Sequence, residues 1–377
     1  MAFVLVSNNL GMMWVGMEAT TLITAFLICI HLTRESLEAM WKYILICSVG
    51  VAFACMGTLL FAAAAGGKSG LLWTEMNGRA GSFNPLLIKA AFIFLLVGYG
   101  TKAGLAPMHN WLPDAHSQAP APVSALFSGF MLSAALYCVM RYLPIVEPAT
   151  GNVGWSLGMM TGFGLLSILI AAAFIPFQRN VKRFLAYSSM EHLGIVVLGL
   201  GLGGFGVFAA LFHTLNHALG KTLSFFSAGR LGQFSNSHDM QKMSGAMRIS
   251  PIWGKGLLVG VLALIGMAPF SPFMSEFQIV KTAVDKGDAF VLVLFFLGIG
   301  TVFVAALGHL LPLVWGKPQG EPTAQSASRL ETALVWIPLL LLLGLGIWMP
   351  DFLRHMLTEA AAVLNPSVQS IATGMKP

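Results

Sequence analysis

One segment of this 377-residue chain repeats titratable side chains at a helical spacing. His213, His217 and Lys221 follow one another at intervals of four residues in the apolar stretch FAALFHTLNHALGKTLSFFSAG. In a helix this spacing stacks the three side chains along one face. Histidine titrates near neutral pH and can pass protons, so the row predicts a proton relay. A zinc site is the alternative, but HTLNH lacks the glutamate of HExxH and no further ligand cluster is apparent. We therefore predict no metal.

Four further apolar segments each contain ionisable residues. They contribute Glu18, Lys102, the adjacent pair Glu191 and His192, and Glu276. An ionisable side chain at the centre of a bilayer costs at least about 2.5–3.5 kcal/mol on insertion scales. Such residues usually face the interior of a helix bundle and mark ion pathways. Together with the histidine segment, these residues predict a buried route for protons or small cations.

Each of these residues also has a structural interpretation. Glu18 can be a carboxylate held by the hydroxyl of Thr20 or Thr21. Lys102 can extend its ammonium group to the membrane surface, instead of serving as a proton site whose pKa responds to burial. The Glu-His pair can form a hydrogen bond that only packs two helices. Isolated or terminal charges are interpreted as interfacial or structural, namely Lys89, Arg141, Lys281 and His309.

Two of the apolar segments contain signals for a broken helix. Each has glycines followed by an Ala-Pro step, at Pro107 and at Pro269. Proline removes a helix hydrogen bond and clashes with the preceding turn. Paired interrupted helices in corresponding positions point to an inverted-repeat transporter and its site. An ordinary proline kink remains the alternative.

The composition indicates a polytopic α-helical membrane protein. Only 10% of the residues are charged and 56% are hydrophobic, whereas soluble domains have about 25% charged residues. A bilayer needs about 20 apolar residues in a helix, and its backbone groups must be satisfied internally. Ten spans are predicted, with a short amphipathic helix after them at about 351–364. The spans are 10–31, 43–65, 86–106, 120–142, 154–177, 184–203, 205–230, 254–283, 289–315 and 333–349.

The basic residues are dispersed, which argues against nucleic acid and for loops anchored at the cytoplasmic surface. Positive charge is more frequent after the odd-numbered spans, so both termini are expected outside the cytoplasm. The stretch 316–331 is the most linker-like. The biased loops contain Arg34, Lys42, Arg179, Lys182, Arg183, Lys242, Arg248, Lys255, Lys317 and Arg329, against Lys68, Arg79 and Lys286.

Several long motifs carry a family resemblance. They are the Glu18 helix, GTKAGLAPMHNWLPDAHSQAPAPVSAL (100–126), NVKRFLAYSSMEHLG (180–194), LFHTLNHALGKTLSFFSAG (211–229) and APFSPFMSEF (268–277). In their order and spacing the chain resembles the antiporter-like membrane subunits of respiratory complex I, Mrp-type cation antiporters and energy-converting hydrogenases. The Ser-Met-Glu-His sequence at 189–192 is most similar to the hydrogenase-4/formate hydrogenlyase type.

The resemblance implies an all-helical fold of two inverted five-helix repeats. Here 10–142 would form the first, incomplete repeat, 154–315 the second, and 333–377 the final span and tail of one domain. It implies that Glu18 and Lys102 form an ion pair in the first half-channel. It also implies that Lys221 lies on a connecting helix and that Glu276 ends the second half-channel.

Two departures from the family pattern stand out. Members typically have about four more helices ahead of the Glu18 span, so the chain is short at its N-terminus relative to the family. Many members have a histidine or lysine in the helix after the first break, where this chain has Ser128. Proton transfer from Lys102 to the centre would then depend on water, Ser128 or Tyr137.

Our leading hypothesis is a proton-translocating subunit of a membrane-bound hydrogenase or related oxidoreductase in the inner membrane. Its partners would be other membrane subunits and a peripheral redox arm that performs the redox chemistry. No redox centre or cofactor is expected in this chain, so whether it counts as an enzyme stays open. A sodium/proton antiporter subunit of the Mrp type and a non-pumping membrane scaffold are the alternatives.

Overall fold

The computed structural model describes residues 1–66, 70–151, 154–318 and 327–365, which form helices joined by short loops. Lys68 and much of the predicted linker lie outside the described residues. The helices are α1 Ala2–Val6, α2 Leu10–Ile28, α3 Arg34–Ala64, α4 Trp73–Gly78, α5 Pro85–Ala103, α6 Trp111–Gln118, α7 Ala121–Leu126, α8 Leu132–Thr150, α9 Trp155–Phe174, α10 Val181–Leu202, α11 Phe205–Phe234, α12 Ala246–Ile249, α13 Pro251–Leu264, α14 Ser271–Asp285, α15 Ala289–Trp315, α16 Arg329–Ile347 and α17 Asp351–Leu364.

The predicted all-helical fold is confirmed. In the described part of the chain, eight helical segments are long and apolar enough to cross a membrane. They match eight of the ten predicted spans. The other two predicted spans are α11, which contains the histidines, and the interrupted pair α13 and α14. The total of ten therefore stays a prediction, as do the two repeat boundaries. The predicted amphipathic helix is present as α17.

The centre of the bundle is α10. The apolar window of this helix is 100% buried, whereas that of α16 is only 17% buried. Helix α10 packs against α6, α9, α11 and α14. Helices α15 and α16 turn large apolar side chains outward, as expected of lipid-facing positions. Side chains in the apolar part of α10 are thus held away from both lipid and water.

The helices begin where the sequence supplies caps. Asn84 caps α5, and Asn180 caps α10 by accepting hydrogen bonds from the backbone N–H groups of Lys182 and Arg183. Side-chain oxygens at this position satisfy N–H groups that have no partner inside the helix. The cap at Asn180 fixes the start of the helix that positions the Glu-His pair.

Both predicted helix breaks are present, and both have the local pattern Gly-X-Ala-Pro, in which X is an apolar residue. Helix α5 ends at Gly104 with φ +76°, and α13 is followed by Gly266 with φ +69°. Each glycine precedes an Ala-Pro step, and both Ala-Pro peptide bonds, at Pro107 and Pro269, are cis. A Cβ atom on Gly266 would also collide with the carboxylate of Glu276. The second break thus brings bare backbone against a predicted site residue.

A group of charges anchors the short helix after the first break. Asp114 on α6 accepts from Lys42 on α3 at 3.0 Å and from Arg183 on α10 at 2.5 Å. Lys42 also pairs with Glu38 one turn earlier. These partly exposed ion pairs tie three helices together at one end of the bundle.

Candidate proton-transfer site

The described structure brings three predicted histidines together from two helices. His192 Nδ1 on α10 lies 2.9 Å from His213 Nε2 on α11, and the ring centroids of His192 and His217 are 5.3 Å apart. All three side chains are buried. The predicted alignment of His213 and His217 along one face of α11 therefore holds, and α10 adds a third imidazole to the row.

The contacts of Ser275 on α14 favour one tautomer of His213. Its hydroxyl lies 2.9 Å from the carbonyl of Pro272, accepts from Asn216 Nδ2 at 3.1 Å and lies 2.9 Å from His213 Nδ1. A hydroxyl has one proton to donate and two lone pairs. With that proton on the Pro272 carbonyl, His213 Nδ1–H is the donor to Ser275. The Nε2 atom of His213 then accepts a hydrogen bond from Nδ1–H of His192.

Two carboxylates and one ammonium group flank the histidines. Glu276 follows Ser275 on α14 and is 8% exposed. One ligand atom each from His192, His213 and Glu276 lies within 4.8 Å of the others. Glu191 on α10 interacts electrostatically with Lys221 on α11. The predicted site residues of α10, α11 and α14 therefore form one buried cluster.

Lys221 is fully buried and directs its ammonium group to backbone. Its Nζ donates to the carbonyl of Leu185 on α10 at 3.0 Å. Opposite charges in a medium of low dielectric interact over longer distances than they do in water. The charge on Lys221 is therefore sensed by Glu191 and by the imidazoles of the same helix.

Ser128 extends the row toward the first break. It lies in a π-helical turn, Phe127–Met131, that joins α7 to α8. Its hydroxyl is 2.7 Å from Ser189 Oγ and 3.5 Å from His217 Nε2. Turns of this kind inside a helix are often found at functional sites. Of the residues considered for this connection, Ser128 is in place, whereas Tyr137 is not, because its hydroxyl donates to the carbonyl of Leu5.

Lys102 is fully buried, which excludes a side chain that reaches the membrane surface. Its Nζ donates to the hydroxyl of Tyr43 at 2.5 Å and lies 4.4 Å from the centroid of that ring. The same hydroxyl is 2.5 Å from Thr24 Oγ1. A tyrosine ring stabilises an adjacent cation through its negative face. Tyr43 is therefore the direct partner of Lys102.

Glu18 has a different partner from those considered in the sequence. Its Oε1 accepts from Ser48 on α3 at 3.0 Å, whereas Thr20 and Thr21 donate to backbone carbonyls of their own helix. The ion pairs among the described residues do not include Glu18 with Lys102. Their implied pairing in the first half-channel is therefore not a direct contact here, although Glu18 still acts electrostatically on Lys102.

Sequence reasoning missed two buried histidines, His109 and His116. His116 on α6 is fully buried, and its ring stacks on Phe225 at 5.1 Å between centroids. Neither ring nitrogen has a hydrogen-bond partner among the described residues. It interacts electrostatically with Lys221 and Lys182. The signal was available, because His116 stands inside the long WLPDAH motif.

One further histidine lies at the basic end of the bundle, outside the spans. Burial, with a smaller contribution from nearby Lys182, lowers the pKa of His238 to about 4. The carbonyl of His238 accepts from the backbone of Val181 at 2.9 Å, so this loop packs on the start of α10. His238 is therefore neutral at physiological pH and adds no charge beside Lys182.

The charges interpreted as interfacial or structural have surface or packing roles. Lys281 pairs with Asp285 on the surface at 2.7 Å, and Lys89 lies over the ring of Trp155. Arg141 stacks on Trp73 at 4.1 Å. His309 contacts the carbonyl of Ile175 at 3.2 Å. None of these contacts joins the buried cluster.

Comparison with known proteins identifies the family. The family described as NADH:quinone oxidoreductase/Mrp antiporter, TM matches residues 7–303. The chain belongs to this family. This antiporter-family chain is 37% identical over 356 residues to a hydrogenase-4 component F homolog of Methylacidiphilum infernorum, across 93% of the chain and 74% of the relative. The resemblance deduced from the motifs is thereby confirmed.

One further relative and one solved structure are also similar to the chain. The chain is 32% identical over 290 residues to one of the Na(+)/H(+) antiporter subunits of Alkalihalophilus pseudofirmus, a match that covers 72% of the chain but only 35% of that longer protein. Among solved structures, a chain of the membrane-bound sulfane sulfur reductase, an archaeal respiratory membrane complex, superposes with a TM-score of 0.88 at 26% identity. This superposition covers 96% of the present chain and 73% of the reductase chain. The antiporter-family chain is a multi-pass membrane protein with this shared fold.

Proposed function

We propose that the chain moves protons across the membrane as an antiporter-like subunit of a hydrogenase-type redox complex. The observation that carries the proposal is the row of adjacent imidazoles, in which His217 packs against His192 and His192 is hydrogen-bonded to His213. An imidazole accepts a proton on one nitrogen and releases one from the other, so adjacent rings pass protons without moving far. Buried ionisable residues inside a membrane protein mark such pathways.

The flanking charges supply the coupling. Lys221 and Glu191 interact electrostatically within the same buried volume. A proton gained at one group changes the free energy of holding a proton at the others, because charges in a poorly screened interior interact strongly. The row would take up protons at the basic end near Lys182 and release them near Glu276. Chemistry in a partner subunit would drive this cycle by changing one charge at the edge of the row.

The hydrogenase assignment is supported by the Glu-His pair of α10 and by the 37% identity to a hydrogenase-4 component F homolog. Under this proposal the partners are other membrane subunits and a peripheral redox arm. The site of action is the inner membrane. The ends of α3, α6 and α10 that hold Lys42, Asp114 and Arg183 would face the cytoplasm, because positive charge accumulates on that side.

The test is proton uptake into inverted membrane vesicles that contain the assembled complex, followed with a pH-sensitive dye. Lys221→Ala should abolish uptake while the complex still assembles and the redox reaction continues. Lys281→Ala is the matched control, because Lys281 is a surface lysine paired with Asp285. Normal uptake in the Lys221→Ala complex would refute the proposal and favour a non-pumping scaffold.

Sodium transport is the second candidate, because the chain is 32% identical to one subunit of a sodium/proton antiporter. The ligand chemistry favours protons, since sodium is a hard cation that prefers oxygen ligands and the central row is built of imidazole nitrogens. Replacing sodium by potassium in the vesicle assay separates the two. Uptake that needs sodium would favour the antiporter.

A further inference from the structure

We propose that His192, His213 and Glu276 also form a binding site for a divalent transition-metal ion such as Zn²⁺, and that its occupancy blocks the proton row. The three residues come from α10, α11 and α14. One ligand atom from each lies within 4.8 Å of the others, and all three side chains are buried. The effect on proton transfer rests on the proposed function, whereas metal binding itself does not.

The ligand set suits zinc. Two histidines and one glutamate are a zinc-binding combination, and a fourth position remains for water. Bond lengths of about 2.0–2.2 Å in a tetrahedral site place neighbouring ligand atoms about 3.3–3.6 Å apart. The two nitrogens of His192 and His213 are 2.9 Å apart, and the widest separation in the set is within 4.8 Å. Side-chain shifts of about 1 Å therefore complete the site.

The residues around the ligands are arranged as around a metal-binding histidine. A ligating imidazole usually donates its other N–H to an oxygen, which fixes its orientation. Nδ1 of His213 has this contact with Ser275, and Asn216 holds Ser275 in turn. Nε2 of His213 is thereby directed to the other ligands. Ser275 and Glu276 are adjacent on α14, so one helix supplies both the orienting group and a ligand.

His192 has a vacant nitrogen for the proton that the metal would displace. Its Nε2 is buried and has no hydrogen-bond partner among the described residues. When a metal takes the Nδ1 lone pair, the proton shared with His213 moves to Nε2 of His192. Glu276 binds as the carboxylate and releases any proton it holds. No oxidant or further reactant is required.

The surrounding charges and the ligand atoms together determine which ions the site favours. Glu191 on α10 and Glu276 on α14 together balance a divalent ion, while Lys221 on α11 opposes it. We expect binding to weaken as pH falls, because a metal binds only deprotonated ligands. Sodium, magnesium and calcium are disfavoured by two nitrogen ligands.

A cavity reaches one of the proposed ligands. A volume of about 290 Å³ lies between α14 and α15, and its lining includes Gly266, Phe273 and Glu276. Glu276 is therefore the ligand that borders open space. A metal held by the three ligands would take both nitrogen positions that join His192 to His213.

The experiment measures metal binding to the full-length chain in lipid nanodiscs. Zn²⁺ is titrated in competition with a chromophoric chelator, and Co²⁺ is used for its visible absorption spectrum. We expect one tight site per chain. His213→Gln and Glu276→Gln should each weaken binding at least about a hundredfold, and Ser275→Ala about 10- to 100-fold. X-ray absorption should show two imidazoles and oxygen at about 2.0–2.2 Å.

His355→Gln is the control. His355 and Glu359 form an exposed pair one turn apart on α17, with Nε2 and Oε1 4.0 Å apart, so this substitution reports adventitious surface binding and should leave the tight site unchanged. Equal affinity in the wild type and His213→Gln would overturn the proposal. Ser275→Ala keeps all three ligands and provides the test if His213→Gln does not fold. Tight binding that leaves vesicle proton uptake intact would show that the metal does not block proton transfer. This result would be independent of the result for Lys221→Ala.

Discussion

Lys102 and the histidine row are both buried titratable sites, but different kinds of partner stabilise them. Lys102 is a single buried cation with one hydroxyl partner and the face of the Tyr43 ring. In the row, hydrogen bonds link His192 on α10 to His213 on α11, and His213 to Ser275 on α14. A buried charge needs partners in either case. Only the row has imidazole partners, which take up and release protons near neutral pH.

Position in the bundle accounts for the difference. Tyr43 and Glu18 lie on α3 and α2, and α2 exposes Ile23 and Phe26 by 68% and 70%. Helix α10 packs against α6, α8, α9, α11 and α14. The Lys102 site is also fully buried, but it adjoins a helix with one outward face. The site on α10 has helices on more sides and can form a network.

The largest effect is expected from His213→Gln. The amide keeps a polar side chain but cannot take up and release a proton, so the row is interrupted at the end that adjoins Ser275 and Glu276. Loss of a positioned proton-transfer group typically costs about 10²–10⁴-fold in rate, and we expect a fall of about a hundredfold in vesicle proton uptake. His309→Gln, outside the cluster, should retain normal uptake. A near-normal rate for His213→Gln would mean that the row is structural.

Tyr43→Phe should have the next largest effect, which is a loss of folding stability. The buried Lys102 ammonium loses its acceptor, which costs about 1.5–3 kcal/mol for a hydrogen bond to a charged group. Tyr142→Phe is the matched control, because its hydroxyl lies 3.0 Å from the neutral Thr58 and its loss costs about 0.5–1.5 kcal/mol. Thermal unfolding in detergent measures both. Equal losses would show that Lys102 does not depend on this hydroxyl.

Ser128→Ala tests whether the two regions communicate. It removes the hydroxyl between Ser189 and His217, and we expect uptake to fall a few-fold with little change in stability. Ser133→Ala is the control in the same span, because Ser133 donates to the backbone carbonyl of Gly129 one turn earlier. If Ser128→Ala has no effect on uptake, the row does not extend to the first break through this residue.

Asp114→Asn should have a smaller effect on stability. Lys42 and Arg183 lose a shared carboxylate that is only partly exposed, and exposed ion pairs contribute about 0.2–1 kcal/mol each. Asp285→Asn removes one surface pair and should cost less. Thermal unfolding at low and high salt compares them, and a larger loss for Asp285→Asn would contradict the anchoring role of Asp114.

The smallest effect is expected from His238→Gln, which should be almost neutral at pH 7. The pKa of His238 is lowered to about 4 by burial, whereas the unfolded chain binds this proton near about pH 6.5. The unfolded state therefore holds more protons between these values, and stability falls as the pH drops from about 6.5 to 4. The variant should lose less stability over this window. Parallel pH profiles for both proteins would contradict the shift.

Much of the site follows from local sequence. The spacing of His213, His217 and Lys221 determines that they share one helix face, because an α-helix repeats about every 3.6 residues. The Ala-Pro steps at Pro107 and Pro269 determine where two helices stop. These are properties of short segments, and the structure has both.

Contacts between helices were decided by packing alone. The sequence does not pair His192 with His213 across α10 and α11, and it does not place Glu276 beside them. It suggested Glu18 as the partner of Lys102, where the structure has Tyr43. Residues far apart in sequence meet only when whole helices dock, and the faces that dock depend on the shapes of all their neighbours. The sequence by itself therefore determined which groups are titratable and buried, and the tertiary structure decided which of them can exchange a proton.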